Sequence, residues 1–272
     1  MAAMKVLVVG GSGYLGAEVV RRSVAAGHRV AATYRTARVE VPGVSGYALD
    51  VRDRAQVADT VAAVRPDVVV NAAYRKDDWV SCADGAAYVA LAAVAVGARL
   101  VHVSSDAVFA GTAGRYAEAA VPDPVTPYGA AKAAAETAVR AVAPHAVVAR
   151  TSLIVGDGDS VHERRVHELA ARPDGVLFTD VVRCPVHVGD LAGALLDLAG
   201  TDRTGIHHLA GGDALTRYEL GVLIARRDGL DPAALPSGPR AGGPSDIRLD
   251  CAATRRHLRT ELRGARTFLA VR

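Results

Sequence analysis

The chain has 272 residues, a formal charge of +3 at neutral pH, and a composition that is half hydrophobic. Such a chain can bury one large core with a small appended lobe, whereas its scattered arginines and few aromatic residues exclude a nucleic-acid-binding surface. The apolar stretch 85–98 is too short to span a bilayer and no signal peptide precedes it, so we expect a cytoplasmic protein without a membrane partner.

Apolar runs alternate with alanine-rich stretches over the first 150 residues. The runs predict strands at 5–9, 29–33, 46–49, 68–70, 100–103 and 146–149, and the stretches predict helices at 14–26, 55–64, 85–96 and 128–141. Strands that are apolar on both faces and separated by helices are typical of an α/β fold with a doubly wound parallel Rossmann sheet. We predict an NAD(P)-binding core at 1–155, to which 186–210 returns, and a small C-terminal substrate-binding lobe formed by 156–185 and 211–272.

A glycine-rich turn follows the first strand and opens the first helix. Its spacing supplies a tight turn, a close approach of backbone to phosphate, and free N–H groups at the helix start, as in dinucleotide-binding folds. The predicted cofactor contacts in this turn are Gly10, Ser12, Gly13, Tyr14, Leu15 and Gly16.

The residues after the second strand indicate which dinucleotide is bound. Where NAD-binding folds usually place an acid, this chain has Arg35 and Arg38, which suit a 2′-phosphate, so the sequence predicts NADPH with NADH as the second option. Two surface arginines in a loop are the alternative. Further cofactor contacts are expected at the ends of the next two strands, at Asp50, Val51, Asn71, Ala72 and Ala73.

The candidate chemistry lies in Ser105, Tyr128 and Lys132. Tyr128 and Lys132 are four residues apart and share a helix face, so the ammonium can lie near the phenol and lower its pKa. Ser105 ends the fifth strand and can hydrogen-bond the same reacting oxygen. On its own, this Tyr-Lys spacing is common on amphipathic helices.

The motifs in order, GGSGYLG, Asp50, NAA, VHVSSDAVFAG, YGAAK and Arg150-Thr151-Ser152, resemble the extended short-chain dehydrogenase/reductases. Within them the chain is similar to the dTDP-4-dehydrorhamnose reductase group of sugar-nucleotide ketoreductases over residues 4–210. The resemblance implies a catalytic triad of Ser105, Tyr128 and Lys132, in which Lys132 also holds the nicotinamide ribose. It implies a small-molecule substrate, a nucleotide-linked 4-keto-deoxysugar or a related ketone, bound by Ser105, Asp106, Tyr128 and Arg183.

Some positions depart from this group. Ala107 replaces a frequent aromatic wall of the active site, and the absence of an Asp-Glu pair here disfavours the elimination chemistry of related dehydratases. Gly243-Pro244 stands where the group often has Arg-Pro, so Arg183, Arg240 or Arg248 would have to contact a diphosphate.

Two alternatives share the fold and motifs. One is a non-catalytic NADP-binding protein resembling the regulatory subunit of methionine adenosyltransferase. The other is a sugar-nucleotide epimerase, which needs a tightly held oxidised cofactor and an added acid/base pair. A homodimer is compatible with any of these functions.

Metal binding is not expected. The cysteines are odd in number, lack the spacing of metal ligands, and should be free thiols in a reducing compartment: Cys82, Cys184 and Cys251. His162 and His167 are five residues apart and would point about 140° from each other on a helix, unlike the histidines of zinc helices.

The other notable histidines lie after residue 185. We expect His187 to be a structural residue at the junction with the lobe. His207 and His208 are neighbours on a probable strand, so at least one side chain should be exposed.

Overall fold

A computed structural model describes residues 3–243 and 245–271, so Pro244 of the Gly243-Pro244 pair lies outside the described residues. Its strands are β1 (Lys5–Val9), β2 (Arg29–Tyr34), β3 (Ser45–Ala48), β4 (Val68–Asn71), β5 (Arg99–Ser105), β6 (Gly114–Tyr116), β7 (Val147–Thr151), β8 (Ile154–Val155), β9 (Leu177–Phe178), β10 (Val182–Arg183), β11 (Val186–His187), β12 (Gly205–Leu209), β13 (Leu215–Thr216), β14 (Ser237–Gly238) and β15 (Ile247–Leu249). Its α-helices are α1 (Tyr14–Ala25), α2 (Arg54–Val64), α3 (Gly85–Ala95), α4 (Pro127–Val142), α5 (Val161–Ala171), α6 (Val188–Ala199), α7 (Arg217–Arg227), α8 (Ala252–Arg255) and α9 (Ala265–Phe268).

The central sheet has seven parallel strands in the order β3-β2-β1-β4-β5-β7-β12. Strand β1 lies in the interior of the sheet between β2 and β4, and its residues Val6, Leu7, Val8 and Val9 are completely buried because helices cover both faces of the sheet. The predicted doubly wound Rossmann fold is confirmed. Each strand and helix predicted in the first 150 residues ends within two residues of the predicted limits.

Two apolar layers flank the sheet. Helices α1 and α6 pack together on one face through side chains such as Val19, Leu191 and Leu195. Helices α2, α3 and α4 cover the other face, where Val61 and Val139 are fully buried. Strand order reverses between β1 and β4, and at such a switch point the carboxyl ends of the strands border a ligand crevice.

A smaller cluster of buried residues lies in the C-terminal part of the chain, where α5 and α7 pack around Leu169, Leu215 and Ile224. Two short strand pairs, β9 with β14 and β10 with β13, border it. Part of the tail packs elsewhere, since β15 pairs with β6 and Leu262 enters the core cluster beside α1 and α6. The predicted boundaries between core and lobe stay a prediction.

The expectation for the histidine pair of β12 is wrong, because both side chains are buried. The C-terminal segment covers this edge strand: His207 Nδ1 lies 2.8 Å from Thr254 Oγ1, and His208 Nδ1 lies 3.1 Å from the Asp250 carbonyl. His187 caps α6, where its Nδ1 accepts a hydrogen bond from the Gly189 N–H. Across residues 3–243 and 245–271, no helix is long and apolar enough to cross a membrane.

Candidate active site

The glycine-rich turn joins β1 to α1 at the switch point of the sheet. Gly10 has a φ of 80°, and a Cβ there would lie 2.8 Å from the Ala73 backbone, so the turn can pack on the Asn71-Ala72-Ala73 segment only with glycine. Gly13 caps α1 without a side-chain hydrogen bond, and the first turn of α1 carries no acidic residue. The N–H groups of this turn therefore fit the pyrophosphate of a dinucleotide.

Three other predicted contacts of the turn differ in what they expose. Ser12 is exposed, whereas the Leu15 side chain is buried in the core, so only the backbone of Leu15 can serve a cofactor. The Tyr14 hydroxyl lies against Gly156 at the start of the C-terminal part, and burial together with the Glu163 charge raises the pKa of the phenol. Tyr14 thus links the turn to the neighbouring segment.

The site predicted for the adenosine end of the cofactor contains one more charged residue than the sequence analysis assigned. Arg35 and Arg38 are exposed after β2, where a 2′-phosphate could reach them. Arg52, which was not predicted, binds both carboxylate oxygens of Asp50, with its Nη2 2.6 Å from Oδ2. Hydrogen bonds from Arg52, and secondarily the charge of Arg35, hold the Asp50 pKa at about 2, so this carboxylate stays ionised. Val51 packs against Gly85 at the start of α3.

Tyr128 comes close to Ser105 because α4 begins against the end of β5. Thr126 caps the helix by accepting the Gly129 N–H at 3.0 Å, and Pro127 occupies its first turn. A Cβ on Gly129 would lie only 2.1 Å from the Ala107 carbonyl oxygen, so glycine is required for this approach. The Ser105 side chain then lies near the phenol of Tyr128.

The expected lowering of the Tyr128 pKa by Lys132 is wrong in this structure. Burial raises the Tyr128 pKa, and the nearby Ser105 hydroxyl opposes that rise only in part. Lys132 Nζ instead donates to the Val103 carbonyl at 2.7 Å and lies 3.4 Å from His102 Nε2. Burial lowers the Lys132 pKa to about 8.

His102 is a buried polar residue that the sequence analysis missed. It lies in β5, is 1% exposed, and its Nδ1 lies 3.3 Å from Asn71 Nδ2. Asn71 Oδ1 in turn accepts the Ala73 N–H at 3.2 Å. The signal in the sequence was a single histidine inside the apolar run 100–103, three residues before the candidate catalytic serine.

Asp106 lies on the other side of Ser105, where the C-terminal part meets the sheet. Its Oδ2 accepts the Ser152 hydroxyl at 2.7 Å and lies 3.6 Å from Arg183 Nε. Burial raises the Asp106 pKa, and the charge of Arg183 counteracts that rise. The structure thus joins two predicted substrate-binding residues, Asp106 and Arg183, in one ion pair.

Arg183, Arg217 and Arg240 form a guanidinium cluster beside Asp106. Burial lowers the pKa of Arg217 to about 10, and the charges of Arg183 and Arg240 contribute to this decrease. The Arg240 guanidinium also lies 5.8 Å from the centre of the Phe178 ring. The sequence analysis named Arg183 and Arg240 but missed Arg217 and Phe178, because they lie in distant short elements.

A cavity of about 270 Å³ adjoins this cluster and is lined by Phe178, Arg217 and His162, among others. Burial and the Arg217 charge lower the His162 pKa to about 3, so this histidine is neutral. Arg248, the third candidate for a diphosphate contact, instead pairs with Asp246 at 2.7 Å on the surface.

The residues considered as metal ligands have other surroundings. His167 binds Asp228 at 2.7 Å on the surface, away from the cavity that His162 lines. No group of three or more metal-binding side chains occurs in the part of the chain that the structure describes. The thiols are free and buried, at Cys82, Cys184 and Cys251.

Comparison with known proteins adds to this geometry. Residues 4–269 match the RmlD substrate binding domain. The chain belongs to the RmlD substrate-binding-domain family. The resemblance to sugar-nucleotide ketoreductases inferred from the motifs is therefore confirmed.

Among curated members of similar sequence, a dTDP-4-dehydrorhamnose reductase of Streptomyces griseus is 35% identical over 84% of this chain and 77% of its own. The methionine adenosyltransferase 2 subunit beta of Rattus norvegicus is 29% identical over 91% of this chain and 80% of its own. The crystal structure of a dTDP-4-dehydrorhamnose reductase from Bacillus anthracis in complex with NADP superimposes with a TM-score of 0.83. It covers 99% of this chain and 97% of its own at 22% identity, which shows a common fold.

Proposed function

We propose that this protein is an NADPH-dependent reductase that reduces the 4-keto group of a nucleotide-linked deoxysugar. The predicted oxidoreductase class and nicotinamide cofactor are confirmed by the reductase relatives and by the structural neighbour that holds NADP. One observation supports the finer assignment. The Tyr128 phenol lies near Ser105 and Asp106, and the ion pair of Asp106 with Arg183 connects them to the guanidinium cluster.

The proposed cofactor site extends along the carboxyl edge of the sheet. The N–H groups around Gly13 would hold the pyrophosphate, and Arg35 and Arg38 would hold the 2′-phosphate. Asn71 and Lys132 lie nearer the centre of the sheet, where the nicotinamide ribose would bind. NADPH supplies the hydride when it is bound.

The chain itself supplies the proton. Because its pKa is raised, the Tyr128 phenol is protonated at neutral pH and can donate its proton to the ketone oxygen. The Ser105 hydroxyl lies near the phenol and would orient the same ketone oxygen. Lys132, one helical turn away, does not lower the Tyr128 pKa in this structure, and we propose that its ammonium supports the phenolate only in the complex with NADPH and ketone.

The guanidinium cluster favours a substrate with a diphosphate. Arginines bind phosphate oxygens in pairs of parallel hydrogen bonds, and a diphosphate would relieve the mutual repulsion of Arg183, Arg217 and Arg240. Phe178, already stacked near Arg240, offers a ring for a nucleobase. The cluster also supplies the diphosphate contact for which Gly243-Pro244 has no arginine.

The regulatory-subunit alternative is supported by the similarity to methionine adenosyltransferase 2 subunit beta. A purely regulatory protein has no need of a proton donor at this edge, so the phenol of Tyr128 near Ser105 supports the reductase over this alternative. An epimerase would require an additional acid/base pair and would purify with oxidised cofactor.

The test is an assay of purified protein with NADPH and a panel of ketones, with dTDP-4-keto-6-deoxysugars beside the corresponding free sugars. We expect loss of NADPH absorbance with the nucleotide-linked substrates and little with the free sugars. Binding of NADPH without turnover of any ketone would contradict the proposal and favour the regulatory role. Cofactor absorbance in the purified protein would favour the epimerase.

A further inference from the structure

Lys132 is buried at 2% exposure, yet the protein offers its amine few acceptors. A lysine ammonium carries three N–H donors. One of them donates to the Val103 carbonyl at 2.7 Å. The other nearby polar atom is His102 Nε2 at 3.4 Å, so the state of this ring nitrogen determines whether the ammonium has a second acceptor.

Asn71 determines which nitrogen of the imidazole carries the proton. The Ala73 N–H donates to the side-chain oxygen of Asn71, which fixes the orientation of the amide and turns its NH₂ group toward His102. An NH₂ group can only donate, so His102 Nδ1 must accept and the proton must lie on Nε2. His102 is neutral, because burial and the neighbouring Lys132 charge lower its pKa well below the ordinary value.

We infer that Asn71 and His102 together are positioning residues that control the charge of Lys132. Asn71 holds the imidazole in the Nε2–H tautomer, so that His102 presents a donor, not an acceptor, to the Lys132 amine. A donor facing an ammonium disfavours the charged form, and a donor facing a neutral amine stabilises the uncharged form.

The other ionisable groups that face Lys132 act in the opposite direction. Cys82, in the π-helical segment before α3, and Glu136, one turn along α4, both favour the ammonium. Glu136 is itself bound by Arg150 at 2.7 Å, which limits its influence. Burial is therefore what lowers the Lys132 pKa, and the inferred imidazole donor would act in the same direction.

The consequence for catalysis rests on the proposed function. If Lys132 supports the Tyr128 phenolate only while charged, then Asn71 and His102 place the upper pH limit of the reaction close to neutrality instead of near the ordinary range of a lysine. The tautomer and the titration of Lys132 can be measured without cofactor or substrate, so they are tested separately from the reductase activity.

NMR spectroscopy provides the first test, on the unmodified full chain. The ¹⁵N shifts of the imidazole distinguish the two neutral tautomers, and loss of one signal in His102→Gln assigns His102. We expect the proton on Nε2. A proton on Nδ1 would overturn the inference. The tautomer itself is read from the unmodified protein, and His102→Gln serves only to assign the signal.

Lysine titration provides the second test. The chain has three lysines, Lys5, Lys76 and Lys132, so ¹³C-labelled lysine gives a simple spectrum that Lys132→Met assigns. Asn71→Asp offers a carboxylate that accepts an Nδ1–H, so His102 should switch tautomer and the Lys132 pKa should rise by about one unit or more. His102→Gln can rotate its amide oxygen toward the amine and should raise the pKa in the same direction.

Cys82→Ala is the matched control, because Cys82 faces Lys132 but its thiol bonds the Arg75 carbonyl outside the network. It should leave the His102 tautomer unchanged and should not raise the Lys132 pKa. An unchanged Lys132 pKa in both Asn71→Asp and His102→Gln would overturn the inference. If the protein is an active reductase, the alkaline limit of its pH profile should move upward in the same two variants.

Discussion

The candidate site has two halves, one proposed for the cofactor and one proposed for the substrate, and they are built in different ways. The cofactor half consists of turns at the ends of neighbouring strands, such as Gly10–Gly16 after β1 and Asn71 at the end of β4. The substrate half joins Asp106 to arginines from β10, α7 and the segment before β15. Neighbouring strands bring their carboxyl ends together by the topology of the sheet alone, whereas the arginines meet only when distant short elements pack.

This difference has an energetic side. In the cofactor half the binding groups are largely backbone N–H groups and small residues, which cost little to leave uncovered. In the substrate half, three like charges share a partly buried site with the Asp106 carboxylate nearby. A phosphate-bearing ligand would balance that charge, so we expect specificity to depend more strongly on the proposed substrate half.

The largest effect should come from Tyr128, where the two halves meet. Tyr128→Phe keeps the ring but removes the proton donor, so ketone reduction should fall by about 10² or more while NADPH affinity persists. Steady-state kinetics and fluorescence titration of NADPH measure the two quantities. Tyr74→Phe is the control, because the Tyr74 ring lies 6.3 Å from that of Tyr128 but is mostly exposed. An equal loss in both variants would contradict the assignment of Tyr128 as the acid.

The guanidinium cluster should have the next largest effect. Arg217→Met removes one buried charge and should raise KM for a nucleotide-linked ketone by about tenfold to a hundredfold, on the scale of one or two charge-assisted hydrogen bonds. The Kd for NADPH should stay the same, which isothermal titration calorimetry would measure. Arg248→Ala is the matched control, since Arg248 pairs with Asp246 on the surface. Weaker NADPH binding in Arg217→Met would show that the two halves are not separate.

The choice between NADPH and NADH should depend on the cofactor half alone. Replacing Arg35 and Arg38 with Ala should weaken NADPH by about tenfold or more and NADH much less, because only NADPH carries the 2′-phosphate. The KM for the ketone should not change. An equal loss of affinity for both cofactors, or a preference for NADH in the unmodified protein, would contradict the assignment of these arginines to the 2′-phosphate.

The smallest effect should be the pH dependence. The Lys132 pKa is lowered to about 8, so the amine is charged below that pH and loses its charge above it. We expect kcat/KM for reduction to decline as the pH rises through about 8. His162, whose pKa of about 3 keeps it neutral, should cause no change in kcat/KM on the acidic side of the profile. A profile that stays level well above pH 8 would show that Lys132 is not the limiting group.

The sequence alone was sufficient for the first six strands of the central sheet and for the turn between β1 and α1. Continuous apolar runs such as 68–70 and 100–103 predicted buried parallel strands, and the Gly10–Gly16 spacing predicted the turn, because both depend on neighbouring residues. The motif order also predicted the family, and through that resemblance it associated Ser105 at the end of β5 with Tyr128 in the first turn of α4.

Only the tertiary structure decided the charge states and the substrate half. Burial, which a local pattern does not reveal, raised the Tyr128 pKa where the Tyr-Lys spacing predicted a decrease, and it made His102 a partner of Lys132. The same applies to His207 and His208, which a C-terminal segment about 45 residues away covers. Long-range packing brings Arg217 into the guanidinium cluster and Phe178 beside Arg240, and the sequence carries no periodic signal for such packing. Local order along the chain determines strands and turns, and the desolvation and pairing of charges depend on which distant segments come together.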